Sequence, residues 1–300
     1  MTHTERRTMQ RQAWLGAMFA TLAGLFWAIT VGESTLVSSA VPPVEIVAIR
    51  YSAQLLLLAV LVMPFRGTAM LHTEQPRLQL MRGAMMIIMP FFFELAVYRV
   101  GAAEMMSTIW LAPLFGVAFE RLTSDRQHSG LSVAIAAIAT GGVLVAHHPA
   151  PFTSISGGIG IVCAAASFGG FFTITRALRT ERVSTGLFWT AACVAIPALL
   201  ILPFAWHPLT LRLFVGVVGM GVLWLLVLLT IDEALRRAPL RLMTPFFLTE
   251  VIWLRLLFRL SWSRSAVLGS ATILACAAAS LVLLARAEKG MGVIAETIPL

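Results

Sequence analysis

The chain has 300 residues, of which 59% are hydrophobic and 12% charged, and its formal net charge is +8. A soluble fold of this size cannot bury so much apolar surface, so the composition excludes a soluble domain and indicates an integral membrane protein. The positive charge lies in short hydrophilic gaps, where it indicates membrane topology and gives no reason to expect a nucleic-acid partner.

Ten apolar segments follow one another along the chain, separated by those gaps. A helix needs roughly 20 apolar residues to cross a hydrocarbon core of about 30 Å, because each residue adds about 1.5 Å along the axis. We therefore predict an all-α membrane protein with ten transmembrane helices. The predicted helices cover residues 13–37, 44–64, 83–100, 103–119, 129–146, 155–175, 185–204, 211–231, 240–257 and 266–285.

Arginine is distributed unequally between alternate gaps. The first apolar segment follows a basic stretch but is longer than the roughly 7–15 residues of a signal-peptide core, so we expect it to remain in the protein. Short loops rich in arginine stay on the cytoplasmic side, which places both termini in the cytoplasm, with a bacterial inner membrane as the expected location. On this assignment the opposite side holds only four arginines: Arg99, Arg212, Arg259 and Arg264.

The sequence contains none of the enzyme motifs that would indicate an active site. Its single lysine, Lys289, is followed by Gly290, so a phosphate-binding loop that ends in Lys and Ser or Thr is absent. Neither a Gly-x-Ser-x-Gly elbow nor a His-Glu-x-x-His pair occurs, and the six histidines do not stand at metal-ligand spacing on one predicted helix. We therefore expect no enzyme activity, no catalytic residue, no metal and no cofactor.

Two short matches suggest an internal duplication. Residues 24–30 align with residues 169–175 and share Gly, Phe, Ile and Thr, and residues 121–123 resemble residues 259–261. Five transmembrane helices per half is an odd number, so a second copy would cross the membrane in the opposite direction. Secondary transporters are commonly built from such inverted repeats around a site near the bilayer midplane.

Several short motifs resemble the EamA-type members of the drug/metabolite transporter superfamily. They are Arg50-Tyr51, Arg82-Gly83, Tyr98 followed by Ala103-Glu104, Pro113, Glu120-Arg121-Leu122, and Ala238-Pro239-Leu240 with Pro245 and Glu250. The resemblance implies a ten-helix inverted-repeat carrier that moves small metabolites by alternating access, often outward. It divides the chain into EamA-like five-helix repeats at 1–150 and 151–290 and a cytoplasmic tail at 291–300.

Charged residues inside the predicted helices are candidate site residues, because an ionised group at bilayer depth costs a few kcal/mol unless it has a partner or water. Glu94 shares a helical face with Phe91 and Tyr98, and it can bind an amine, take up a proton, form a structural pair or lie at the membrane edge. Arg50 can clamp a substrate carboxylate or tether Glu94 or a helix-end carbonyl. Glu250 can contact substrate or form an internal ion pair.

Other acidic residues lie near the ends of predicted helices, where water, lipid headgroups or helix N-termini satisfy a carboxylate readily. We expect no functional role for them. They are Glu33, Glu45, Glu104, Asp232 and Glu233.

Four aromatic residues lie deep in predicted helices, where they can hold the ring or the aliphatic portion of a substrate or contact lipid. They are Trp27, Trp110, Phe172 and Trp224. The predicted central-cavity residues are therefore Trp27, Arg50, Glu94, Tyr98, Trp110, Phe172, Trp224 and Glu250. Three prolines can bend helices and are predicted to act in gating: Pro90, Pro113 and Pro245. Small residues such as Gly141 and Gly142 in the fifth helix predict close helix contacts or a dimer surface.

These observations predict a secondary active transporter, an exporter or exchanger of small polar or amphipathic metabolites such as amino acids or their derivatives. The expected partners are a small-molecule substrate, protons as a candidate coupling ion and the lipid bilayer, with the chain as a monomer or homodimer. The alternative is a non-transporting membrane scaffold or accessory subunit.

Overall fold

The computed structural model describes residues 3–37, 40–97, 99–123, 130–152 and 154–287. This part of the chain is helical without a strand, which confirms the predicted all-α class for the described residues. Its α-helices are α1 His3–Val37, α2 Pro43–Leu61, α3 Met63–Arg66, α4 Pro76–Val97, α5 Ala102–Ile109, α6 Ala112–Thr123, α7 Gly130–His147, α8 Ile155–Ala177, α9 Val183–Ala205, α10 Leu211–Arg237, α11 Leu240–Phe247, α12 Glu250–Leu257 and α13 Arg264–Ala287. A short 3-10 helix, Gly67–Met70, lies between α3 and α4.

Seven helices of the described chain are long and apolar enough to cross a membrane: α1, α2, α7, α8, α9, α10 and α13. Each coincides with one predicted transmembrane segment to within a few residues at most ends, although α1 and α10 extend further. The third predicted segment falls on α4, which has 22 residues and begins earlier than expected, at Pro76.

Two predicted segments are not single helices in the structure. The fourth is divided into α5 and α6 at Trp110 and Leu111, and the ninth into α11 and α12 at Leu248 and Thr249. Pro113 lies directly after the first interruption and contributes no backbone N–H, so it is placed in the first turn of α6, where none is required. Pro245 lies within α11, one turn before the second interruption.

The helices of the first half of the sequence pack along helices of the second half. The closest pairs are α1 with α10, α4 with α8, α2 with α9 and α7 with α13, and α2 also contacts α10 while α4 contacts α9. The two halves therefore share one helical bundle and one interior.

The contact between α7 and α13 is close because both helices carry glycine at the crossing. A Cβ atom at Gly142 would lie 2.9 Å from the carbonyl oxygen of Gly269, and Gly269 likewise faces the backbone of Gly142. Gly141 has open space beside it. The prediction of a close helix contact at these small residues is confirmed for Gly142, since small side chains let two backbones approach in a membrane.

Candidate functional site

Three tryptophans from three parts of the chain meet in the interior of the bundle. Trp27 of α1 lies with its ring centroid 5.2 Å from that of Trp110 and 4.8 Å from that of Trp224 on α10. Trp110 occupies the interruption between α5 and α6. All three side chains are at most 3% exposed, so the alternative that they contact lipid is wrong.

Phenylalanines of α8 and α11 extend this cluster. The ring of Phe168 stacks on Trp27 at 5.3 Å between centroids, and Phe172 lies 4.4 Å from Phe168. Phe247, at the end of α11, stacks on Phe172 at 5.5 Å with an interplanar angle of 10°. Phe172 is fully buried and belongs to the interior, as predicted, through its contact with Phe168 rather than directly with Trp27. We call these six rings the aromatic cluster: Trp27, Trp110, Phe168, Phe172, Trp224 and Phe247.

Arg50 closes one edge of the aromatic cluster. Its Cζ atom lies 4.5 Å from the ring centroid of Trp224 and 5.4 Å from that of Tyr51, in the geometry of a cation–π contact. The indole N–H of Trp224 donates to the hydroxyl oxygen of Tyr51 at 3.0 Å, which holds both rings in place under the guanidinium. Arg50 is 7% exposed, and its Nε is buried without a hydrogen-bond partner among the described residues.

Glu250 lies at another edge of the aromatic cluster, in the first turn of α12. Its Oε2 accepts a hydrogen bond of 3.0 Å from the indole N–H of Trp110, and Oε1 is buried with no partner in the described part of the chain. Glu250 forms no ion pair within the described residues. The guanidinium of Arg255, later in α12, donates instead to the carbonyl oxygens of Ser261 and Ala146. The positive end of the α12 dipole favours a carboxylate at this place.

A cavity of about 40 Å³ lies beside Arg50, bounded also by Trp27, Thr30, Pro90 and Trp224. This space can hold ordered water, but it is far smaller than the roughly 300–1,000 Å³ of a pocket for a small organic molecule. In this conformation the rings of the aromatic cluster pack against one another and fill the centre, so the predicted cavity residues enclose only this small space.

Not all predicted site residues can be placed. Tyr98 and the side chain of Glu94 lie outside the described residues, although the backbone of Glu94 is part of α4. Pro90 is buried inside α4 and borders the cavity, which gives it a position next to the cluster. Pro113 and Pro245 adjoin the two helix interruptions, so the three prolines predicted to act in gating lie at an interruption or beside the cavity.

Sequence reasoning missed a buried ion pair between α4 and α10. The Nη2 atom of Arg82 lies 2.5 Å from Oδ1 of Asp232, and the two side chains are 2% and 4% exposed. The Arg82 guanidinium also lies 4.8 Å from the ring centroid of Phe171. The expectation that water or headgroups satisfy Asp232 is wrong, because α4 brings Arg82 to it inside the bundle.

A polar network surrounds this ion pair at the end of the bundle where the arginines collect. Glu181, in the turn between α8 and α9, accepts hydrogen bonds from the hydroxyl of Thr73 at 2.6 Å, the backbone N–H of Gln75 at 3.0 Å and the amide of Gln79 at 2.7 Å. Arg236 donates to the Glu181 carbonyl oxygen. The network ties the start of α4 to the second half of the chain.

The opposite end of the bundle is tied by Glu45 and Glu104. Glu45 is fully buried and accepts hydrogen bonds from the backbone N–H of His207, with the His207 ring nitrogen Nδ1 at 3.2 Å. Glu104 accepts from the backbone N–H of Ala150 at 3.0 Å. Glu45 and Glu104 lie in the first turns of α2 and α5, which agrees with the expectation that a helix N-terminus helps to satisfy them, although Oε2 of Glu45 is buried without a partner among the described residues. Hydrogen bonds thus join the two halves at both ends.

Solved structures of other proteins are similar to this fold. One crystal structure superposes with a TM-score of 0.74 at 20% sequence identity, over 92% of this chain and 98% of that chain. No protein-family model matches the sequence, and no curated protein matches it either. The likeness is one of fold.

Proposed function

We propose that this protein is a secondary transporter for small amphipathic metabolites that carry charged groups, such as amino acids or their derivatives. The observation that carries the proposal is the aromatic cluster with Arg50 at one edge and the unpartnered Oε1 of Glu250 at another. A buried ionisable group that lacks some of its hydrogen-bond partners costs several kcal/mol of folding free energy. A ligand that supplies the missing partners of Arg50 and Glu250 best explains why these residues are present.

The chemistry of the cluster suits such a ligand. A guanidinium can bind a carboxylate through two hydrogen bonds, a carboxylate can accept from an ammonium group, and indole faces favour both cations and flat rings. A substrate with an anionic group, a cationic group and an apolar part would therefore match Arg50, Glu250 and the aromatic cluster together. The small cavity beside Arg50 means that the rings must separate before substrate enters.

The pairing of the helices supports a ten-crossing inverted repeat. In an inverted repeat, α1 would correspond to α8, α2 to α9, α4 to α10 and α7 to α13. A contact between two helices then requires a contact between their counterparts. The contact α1–α10 requires α8–α4, and α2–α10 requires α9–α4. The pairs α2–α9 and α7–α13 correspond to themselves. Each contact required by this correspondence occurs in the bundle. The interrupted segments follow the same correspondence in their contacts with α1 and α8, since α5 and α6 contact α8 as α11 and α12 contact α1. Discontinuous helices commonly form the midplane site of transporters.

Separate contacts at the two ends of the bundle support alternating access. The Glu181 network ties helices at one end and the Glu45–His207 contact ties helices at the other, so the contacts at each end can be broken independently. On the proposed topology the arginine-rich end faces the cytoplasm of a bacterium, with both termini on that side. These features agree with the EamA-type resemblance of the sequence motifs.

The test is uptake into proteoliposomes. Amino acids, their derivatives and cationic drugs are screened with and without a pH gradient, and Arg50→Gln and Glu250→Gln are measured on any substrate found. We expect each variant to reduce transport more than tenfold, while Glu74→Gln, at an exposed position, leaves it unchanged. Full transport by the Arg50 and Glu250 variants would remove this site. If the folded wild-type protein transports none of the compounds, the scaffold alternative is favoured.

A further inference from the structure

A large cleft lies away from the aromatic cluster, at the arginine-rich end of the bundle. It has a volume of about 1,070 Å³ and opens between the N-terminal parts of α1 and α9 and the C-terminal parts of α2 and α10. This volume exceeds the upper range for pockets that hold drug-sized molecules, roughly 1,000 Å³. The cleft is therefore large enough for a ligand with long apolar parts.

The walls of the cleft are apolar and open toward the surrounding membrane. Leu58 and Leu61 of α2 face Leu225 and Leu229 of α10 across it. Leu61 is 60% exposed and Phe65, at the mouth, is 86% exposed, so the cleft is accessible from the side. From Arg236 to Leu225 the helix axis of α10 covers about 16 Å, which is close to half of the roughly 30 Å hydrocarbon core. The cleft thus has the depth of one bilayer leaflet.

The rim of the cleft is basic. Five arginines and one acidic residue line it: Arg66, Arg179, Arg182, Arg236, Arg237 and Glu233. Arg237 pairs with Glu233, and Arg236 donates to the backbone of Glu181, so both guanidinium groups already have partners within the protein. The guanidinium groups of Arg66, Arg179 and Arg182 make no hydrogen bond or ion pair within the described part of the chain, and they leave uncompensated positive charge above apolar walls.

We propose that this cleft binds an anionic phospholipid of the leaflet on that side, with its phosphate at Arg66, Arg179 and Arg182 and an acyl chain between α2 and α10. Three features coincide: apolar walls with the depth of one leaflet, a lateral opening and unpaired arginines at headgroup level. A soluble anion would contact only the arginines of the rim, and a neutral lipid would contact only the apolar walls. Basic pockets between transmembrane helices recognise anionic headgroups by this combination.

The test compares two double variants of equal charge. Arg66→Gln with Arg182→Gln removes two exposed arginines of the rim, and Arg77→Gln with Arg121→Gln removes two exposed arginines outside the cleft. Each protein is purified in detergent and titrated with phosphatidylglycerol, with phosphatidylcholine of the same acyl chains, or with inorganic phosphate. Bound lipid is counted by native mass spectrometry, and the unfolding temperature is recorded.

We expect the wild type to retain phosphatidylglycerol in preference to phosphatidylcholine and to gain thermal stability from it, whereas phosphate alone gives neither effect. The rim variant should lose affinity for phosphatidylglycerol by about 30-fold, which corresponds to roughly 1 kcal/mol for each arginine. The control variant should bind like the wild type. Equal binding of the two lipids, equal losses in both variants, or full stabilisation by phosphate would overturn the proposal. Since all four arginines are exposed, both variants should fold.

Discussion

Arg82 on α4 and Asp232 on α10 form a buried ion pair, with 2.5 Å between Nη2 and Oδ1. The two residues come from different halves of the sequence, so the pair joins the halves inside the bundle. Gly186 of α9 lies against the Arg82 guanidinium, where a side chain would collide with it. With Phe171 of α8 beside the same guanidinium, the pair is enclosed by four helices.

Removing one partner of this pair should destabilise the protein strongly. We expect Arg82→Gln or Asp232→Asn to lower the free energy of unfolding by about 3–5 kcal/mol, because the remaining charge is left buried without compensation. The double variant Arg82→Met with Asp232→Leu should recover most of the loss. Unfolding of the detergent-solubilised protein measures this, with Arg77→Gln on the same helix as the exposed control. Single variants no less stable than that control would contradict the assignment.

The hydrogen bond between Trp224 and Tyr51 should contribute to the order of the aromatic cluster. Tyr51→Phe leaves the indole N–H of Trp224 buried without an acceptor, and we expect it to cost about 1–3 kcal/mol of stability. In a Trp224→Phe background the same change should cost about 1 kcal/mol less, since the donor is already gone. A double-mutant cycle of unfolding free energies measures the difference. Identical costs in the two backgrounds would show that the bond is energetically silent.

The glycine contact between α7 and α13 offers a matched pair of adjacent positions. Gly142→Leu should push the two helices apart and destabilise the protein by about 1–3 kcal/mol, because its Cβ meets the backbone of Gly269. Gly141→Leu places the same side chain in open space and should be nearly neutral. Thermal unfolding of both variants distinguishes them, and equal effects would argue against close packing at this crossing.

Glu181 should control the opening of the arginine-rich end. Its carboxylate accepts from the backbone N–H of Gln75, which also donates to the Thr73 hydroxyl, so Glu181→Ala removes the charged one of the two acceptors of this amide. Bonds to a charged group contribute about 1.5–3 kcal/mol, which predicts at least a tenfold faster hydrogen exchange at Gln75. Hydrogen–deuterium exchange resolved to single amides measures it, with Glu74→Ala as control. Unchanged protection at Gln75 would mean that another contact holds this segment.

The sequence by itself predicted the all-α class, the positions of most helices and their fit to a membrane, and it shows the asymmetry of arginine. These follow from the bilayer, which demands long apolar helices because it offers no water to the backbone. The depth of Trp27, Trp110, Phe172 and Trp224 and the small residues of the α7–α13 crossing could also be predicted, since they depend on local composition. The function itself stays a prediction.

Only the tertiary structure decided which side chains meet. Arg82 finds Asp232, Trp110 donates to Glu250 and Glu45 meets His207 across more than a hundred residues of chain, and these contacts depend on the rotation and pairing of helices. Apolar segments with no strong polar face leave that rotation unspecified in the sequence. The interruptions at Trp110 and Leu248, and the closed centre, arise from the same packing, because the rings fill the interior only once both halves are together.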